Sequence, residues 1–153
     1  MKKITIIFFS VLAIQFANAQ AKITLIMNPR PIANINDWAG RRDMLSLTVS
    51  PGGPLGSPHN VKINTTIKTA DGTIVAVTNM LKAPVKTLLQ GKSTTFYAAD
   101  VVNMKAMVFE TNFQSKLSAG SYQIIVRVIT GVVPNGEGRS EAKTFKVIND
   151  HEK

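Results

Sequence analysis

The feature that most constrains this chain is strict two-residue alternation in two separate runs. Val61, Ile63, Thr65 and Ile67 fall on one side of the first run, with Lys62, Asn64, Thr66 and Lys68 on the other. In the second run Tyr122, Ile124, Val126 and Val128 alternate with Gln123, Ile125, Arg127 and Ile129. Side chains of a strand point to opposite faces in turn, so this pattern means strands with one face in a core. The second face of Tyr122–Thr130 is only partly polar, which suits a central strand.

The remaining strands follow from shorter runs and from turn chemistry. Ala70-Asp71-Gly72 closes the first run, because Asp-Gly accepts the positive φ of a tight turn, and Thr73–Thr78 then returns as the partner of a hairpin. Lys22–Met27, Met44–Val49, Val85–Leu89, Ser93–Tyr97 and Ala142–Ile148 are further strands, with Gly91 turning the chain between the middle pair. One short helix is expected from about Ala99 to Met104, with Asp100 near its start. Asn28–Asp43, with Pro29, Pro31 and Gly40, reads as a connection, and Pro51–Pro58, with three prolines and three glycines, as a loop. Seven or eight strands with polar connections predict an all-β chain. Within that class Leu117-Ser118-Ala119-Gly120-Ser121-Tyr122 has the form of a tyrosine corner, in which the tyrosine hydroxyl bonds back to the preceding backbone. The expected fold is therefore an immunoglobulin/fibronectin-III-like antiparallel β-sandwich in a single domain, residues 20–153.

The N-terminus predicts export. Lys2 and Lys3 precede an apolar run from Ile4 to Ile14, and Ala17-Asn18-Ala19 supplies the small residues of a cleavage site. Residues 1–19 are thus expected to be a cleaved signal peptide, leaving Gln20 first. The run is too short to span a bilayer, and no later segment is long enough, so no transmembrane segment is expected after cleavage. The chain contains no cysteine, so neither a disulfide nor a lipid-bearing cysteine contributes, and stability falls to the core. Loss of Lys2 and Lys3 lowers the net charge from +9 to about +7, an excess that favours anionic surfaces. Nucleic acid is not expected as a partner of an exported protein.

Common catalytic constellations are missing from the pattern. The chain has two histidines, His59 beside the proline-rich loop and His151 near the end, and no serine stands in a nucleophile-elbow context. Asp37, Asp43, Asp71, Asp100 and Asp150 are dispersed without a metal-binding loop motif, and Pro51-Gly52-Gly53-Pro54 lacks the helix that a phosphate loop requires. No catalytic residue, metal or cofactor is therefore expected. The candidate ligand contacts are Trp38, the single tryptophan, with Arg41 and Arg42 after it; such a group could stack on a sugar or pair with an anion. The alternative is that Trp38 plugs one end of the sandwich. Met104, Met107, Phe109 and Phe113 form either a covering loop over the core or an adaptable apolar contact surface.

Three motifs in order, Pro84-Val85-Lys86-Thr87-Leu88-Leu89-Gln90-Gly91-Lys92-Ser93, Ala99-Asp100-Val101-Val102 and Leu117–Tyr122, resemble the TANFOR domain of exported proteins of the Bacteroidota. The chain departs from that pattern in lacking cysteine after the corner and in being expected to form a single domain. The Gly-x-Tyr strand with a closing strand is also similar to the C-terminal sorting domain of type nine secretion cargo. Neither resemblance implies a catalytic residue; the export signal, the expected sandwich and the missing chemistry together point to a non-catalytic module, periplasmic or on the cell surface. Such a module would serve secretion, adhesion or gliding and meet another envelope protein by strand edges or loops. A glycan- or lipopolysaccharide-binding module and an enzyme inhibitor are the alternatives.

Overall fold

The computed structural model describes residues 22–39, 44–51, 59–110, 117–130 and 139–149. The expected signal peptide, Arg41, Arg42, Phe113, His151, most of the Pro51–Pro58 loop and the side chain of His59 lie outside the described residues. The described chain forms two antiparallel sheets packed as a β-sandwich. β1 (Lys22–Met27), β2 (Leu45–Ser50) and β6 (Thr94–Tyr97) make a three-stranded sheet in the order β1-β2-β6. The other sheet is six-stranded and contains β3 (His59–Thr69), β4 (Ile74–Thr78), β5 (Val85–Leu88), β7 (Met107–Phe109), β8 (Gly120–Thr130) and β9 (Ser140–Val147). Its order is β7-β4-β3-β8-β9, and β5 shares the β4 side of β3 by pairing with its first residues. Two four-residue helices complete the fold, α1 (Asn36–Ala39) and α2 (Ala98–Val101).

The alternation read from the sequence is the alternation of burial. Val61, Ile63, Thr65 and Ile67 are buried along β3, as are Tyr122, Ile124, Val126 and Val128 along β8. β8 is central, between β3 and β9. Leu25, Leu45, Leu47, Val49 and Phe96 face them from the small sheet, so apolar area from both inner faces supplies the cohesion. Thr65, the buried polar residue among these, is satisfied: its hydroxyl donates to the carbonyl of Val101 at 2.6 Å, which fastens α2 over the core.

Three elements differ from expectation. The strands on either side of Gly91 do not pair with each other; β5 joins β3 while β6 joins β2, so the turn at Gly91 (φ 67°) carries the chain from one sheet to the other. β7 is a ninth strand in a segment read only as loop or contact surface; three residues are too few to show a period. Its Met107 is buried and its Phe109 packs against the core. The helix after β6 is shorter than expected, and α1 is an additional one within the Asn28–Asp43 connection.

β4 departs from simple alternation for a physical reason. Ile67 pairs with Ala76 but Lys68 pairs with Ile74, so Val75 is the extra residue of a β-bulge. Val75 and Ala76 are both buried, and the irregularity places Ile74 and Val77 on the same solvent face although they are three residues apart.

Candidate functional site

The residues singled out in the sequence divide between the core and the undescribed loop. Asp37 tightens the turn before α1 by accepting the backbone N–H groups of Ala33 (2.9 Å) and Asn34 (3.1 Å) through Oδ2. Ile32, just before it, bridges to β9, taking a hydrogen bond from Ile148 N–H and donating to Lys146 C=O. The connection is thus tied to the large sheet at its base, and Trp38 is driven inward. Its ring is 1% exposed and meets Phe145 edge-on, centroids 4.7 Å apart, while Phe145 stacks on Tyr122 at 5.6 Å. Trp38 therefore offers no open ring face for a ligand and sits as the plug that was its alternative role. Its Nε1 has no hydrogen-bond partner among the described residues.

At the start of β8 the Tyr122 hydroxyl donates to the carbonyl of Ser118 at 2.9 Å, and Leu117 beside it is buried. This is the geometry of a tyrosine corner. Gly120 has no positive φ, and a Cβ there would stand 3.8 Å from the Tyr122 ring, so the corner does not require glycine. Burial pushes the Tyr122 hydroxyl above its ordinary value of 10.

The seams between the sheets hold the charges whose roles sequence patterning missed. Glu141 on β9 pairs with buried Val126, and Lys86 on β5 pairs with buried Val61, so both occupy inward-facing positions on strands flanking the large sheet. Neither enters the core. The Glu141 carboxylate reaches β1 and accepts the Leu25 N–H at 2.7 Å. The Lys86 ammonium reaches β6, donates to the Thr95 carbonyl at 2.6 Å and pairs with Asp100 at 2.8 Å. It also lies over the rings of Phe96 (5.0 Å) and Tyr97 (5.6 Å). Each charge thus occupies a backbone group on an edge of the small sheet that would otherwise be open to a pairing strand.

The outer faces of the two sheets remain available. On the small sheet Thr24, Thr48 and Thr95 make one row and Ile26, Ser46 and Tyr97 another. Hydroxyls bond across it, Thr48 to Thr95 at 3.2 Å and Ser50 to Ser93 at 2.7 Å. On the large sheet the register aligns Val108, Val77, Thr66, Ile125 and Ala142 in one row across five strands. Ile74, Lys68, Gln123 and Thr144 form the row on one side; Asn64, Arg127 and Ser140, then Val85, Lys62 and Ile129, form the rows on the other. Glu110, exposed two residues past Val108 and bonded to Val75 through its N–H, adds one carboxylate at the β7 margin of this face. Ile74, Val85 and Val108 are exposed large apolar side chains. Among the described residues no three His, Asp or Glu side chains gather as a metal site, and no helix is long and apolar enough to cross a membrane.

No family model matches the chain, and no curated protein does. Among solved structures, the chain is similar to native alpha-2-macroglobulin from Escherichia coli, in a structure spanning domain MG7 to the C-terminus. The identity is 13% and the TM-score 0.46, over 86% of this chain and 17% of that one. It is also similar to a family 123 glycoside hydrolase from Clostridium perfringens at 9% identity and TM-score 0.36, over 85% of this chain and 27% of that one. The chain spans a minor part of the length of both.

Proposed function

We propose that the protein is an exported, non-catalytic binding or scaffolding module of the cell envelope that meets its partner with the outer face of the six-stranded sheet. The observation that carries this reading is the contrast between closed seams and an open face. Glu141 and Lys86 occupy backbone groups at the edges where an added strand would dock. The face across β7, β4, β3, β8 and β9, meanwhile, presents a row that is apolar at four of its five positions, with Thr66 at the centre and cations beside it. Export rests on the N-terminal pattern, and the resemblance to TANFOR domains agrees with an envelope location.

A photo-crosslinking side chain placed at Val108 and, separately, at Thr48 tests this in intact envelopes. Val108 lies on the outer face of the large sheet and Thr48 on that of the small sheet. Adducts, to protein or to lipid, are expected from position 108 and not from 48. Adducts from 48 alone, or from neither position, would remove the proposal.

A further inference from the structure

The turn between β4 and β5 is built from the wrong residues for a solvent turn. Lys82 N–H donates to the Asn79 carbonyl at 3.0 Å, which makes Met80 and Leu81 the two central residues. Those positions ordinarily carry Pro, Gly, Asn, Asp or Ser. Leu81 is 96% exposed, the most exposed large apolar side chain described, and Met80 is 37% exposed. The turn is held in place. Asn79 Oδ1 accepts the Leu81 N–H at 2.9 Å, Asn79 N–H donates to Ala106 C=O at 2.7 Å, and Asn64 on the outer face of β3 donates to Met80 Sδ at 3.1 Å. The Met80 contact sets this apolar tip over the same face as the Val108–Ala142 row. Exposed Lys82 follows the tip, and exposed Lys105 lies in the Asn103–Ala106 turn bonded to it.

We infer that this tip and the outer face of the six-stranded sheet form a docking surface for an anionic lipid bilayer, with Leu81 and Met80 entering the acyl region and the lysines meeting head groups. The inference deepens the proposed function and rests on it. Three observations choose lipid over an acidic protein. The face carries Lys62, Lys68 and Arg127 against one carboxylate, Glu110, which is exposed two residues past Val108 at the β7 margin; Asp71 lies in the β3–β4 turn. The cations here are mostly lysine and no aromatic residue occurs in these rows. Protein interfaces deplete lysine and anchor on Tyr, Trp and Arg, whereas lysine beside aliphatic residues is the pattern of a surface lying on anionic lipid. Five strands at ordinary spacing give a face about 20 Å wide, and it is a sheet surface with a single protruding aliphatic corner, which suits a fluid plane better than a pocketed partner.

The chain has no cysteine, so Leu81→Cys and Thr24→Cys each accept one environment-sensitive fluorophore. The mature protein is mixed with vesicles of phosphatidylglycerol and phosphatidylcholine, or of phosphatidylcholine alone, and sedimented. Binding to the anionic vesicles only, weakened by added salt, is expected. The label at position 81, and not at 24, should move to an apolar environment. Leu81→Ser should weaken anionic-vesicle binding about tenfold or more. Lys62→Gln with Lys68→Gln should weaken it roughly tenfold as well; circular dichroism checks that both proteins stay folded. No vesicle binding, equal binding to neutral vesicles, or unchanged binding by Leu81→Ser would overturn the inference. If vesicles are ignored while position 108 crosslinks to a protein, the lipid inference fails and the module reading stands.

Discussion

The two sheets are alike where they touch and opposite where they meet solvent. Their inner faces use the same aliphatic and aromatic set, Leu25, Leu47 and Phe96 against Ile63, Ile124 and Phe145. Their outer faces differ in composition and extent. The small sheet carries threonine and serine hydroxyls that bond to one another, with Ile26 and Tyr97 exposed at one end, while the large sheet displays lysine and arginine around exposed valine and isoleucine spread over more strands. Folding needs only the inner faces, since a polar outer face of any kind lets a sandwich stay dispersed. An apolar row on the solvent side costs solubility and adds nothing to the core, so it points to contact with something else. The difference between the faces therefore separates the residues that make the fold from those available for work.

The largest effects are expected on the side where the sheets agree. Phe96→Ala on β6 and Phe145→Ala on β9 should each cost about 3–5 kcal/mol by urea denaturation, because each leaves a cavity in one shared core. A much smaller loss for Phe96→Ala would mean that the small sheet is a loosely held flap, and the likeness of the inner faces would lose its meaning. Next comes a feature of the large sheet alone. Tyr122→Phe removes the bond to Ser118 and should cost about 1 kcal/mol. The folded-state value of the Tyr122 hydroxyl lies above its ordinary 10. Its contribution is thus complete below pH 10 and is lost as pH rises through the folded-state value. Wild type should weaken in that alkaline range more than Tyr122→Phe does, as a thermal-melt series against pH would show.

How far the sequence discloses this arrangement depends on how locally each part is encoded. Alternation in Val61–Lys68 and Tyr122–Ile129 reveals both central strands, because burial on one face repeats every second residue. Leu117–Tyr122 reveals the corner, because donor and acceptor lie four residues apart. The docking face is nonlocal. Val108, Val77, Thr66, Ile125 and Ala142 come from five strands and become a row only through register. Ile74 joins Val77 on that side through a bulge that spacing alone would contradict. Trp38 beside two arginines has the composition of a ligand contact; its burial follows from Ile32 bridging to β9, over one hundred residues later. The Met80-Leu81 tip is not marked by turn chemistry at all, since two large apolar residues between Asn79 and Lys82 carry none of the Gly, Pro or Asp signals that identify a turn.

The smallest effects should come from the seams, where the two sheets are joined by one charge on each side. Glu141→Gln keeps an oxygen for the Leu25 N–H and should lose only a few tenths of a kcal/mol, whereas Glu141→Ala leaves a partly buried donor without its partner and should lose about 1 kcal/mol. Lys86→Met keeps an apolar stem beside Phe96 while surrendering the bonds to Thr95 and Asp100. Both partners of that ion pair are about a third exposed, 32% and 33%, so solvent screening limits the loss to about 0.5–1 kcal/mol. Stability is thus the weaker readout, and hydrogen exchange is the sharper one. Exchange at Leu25 should rise in Glu141→Ala and not in Lys86→Met, since each charge closes a different seam. If both variants loosened both seams equally, the edges would be held by the core alone, and the closed-edge half of the contrast with the open outer face would fall.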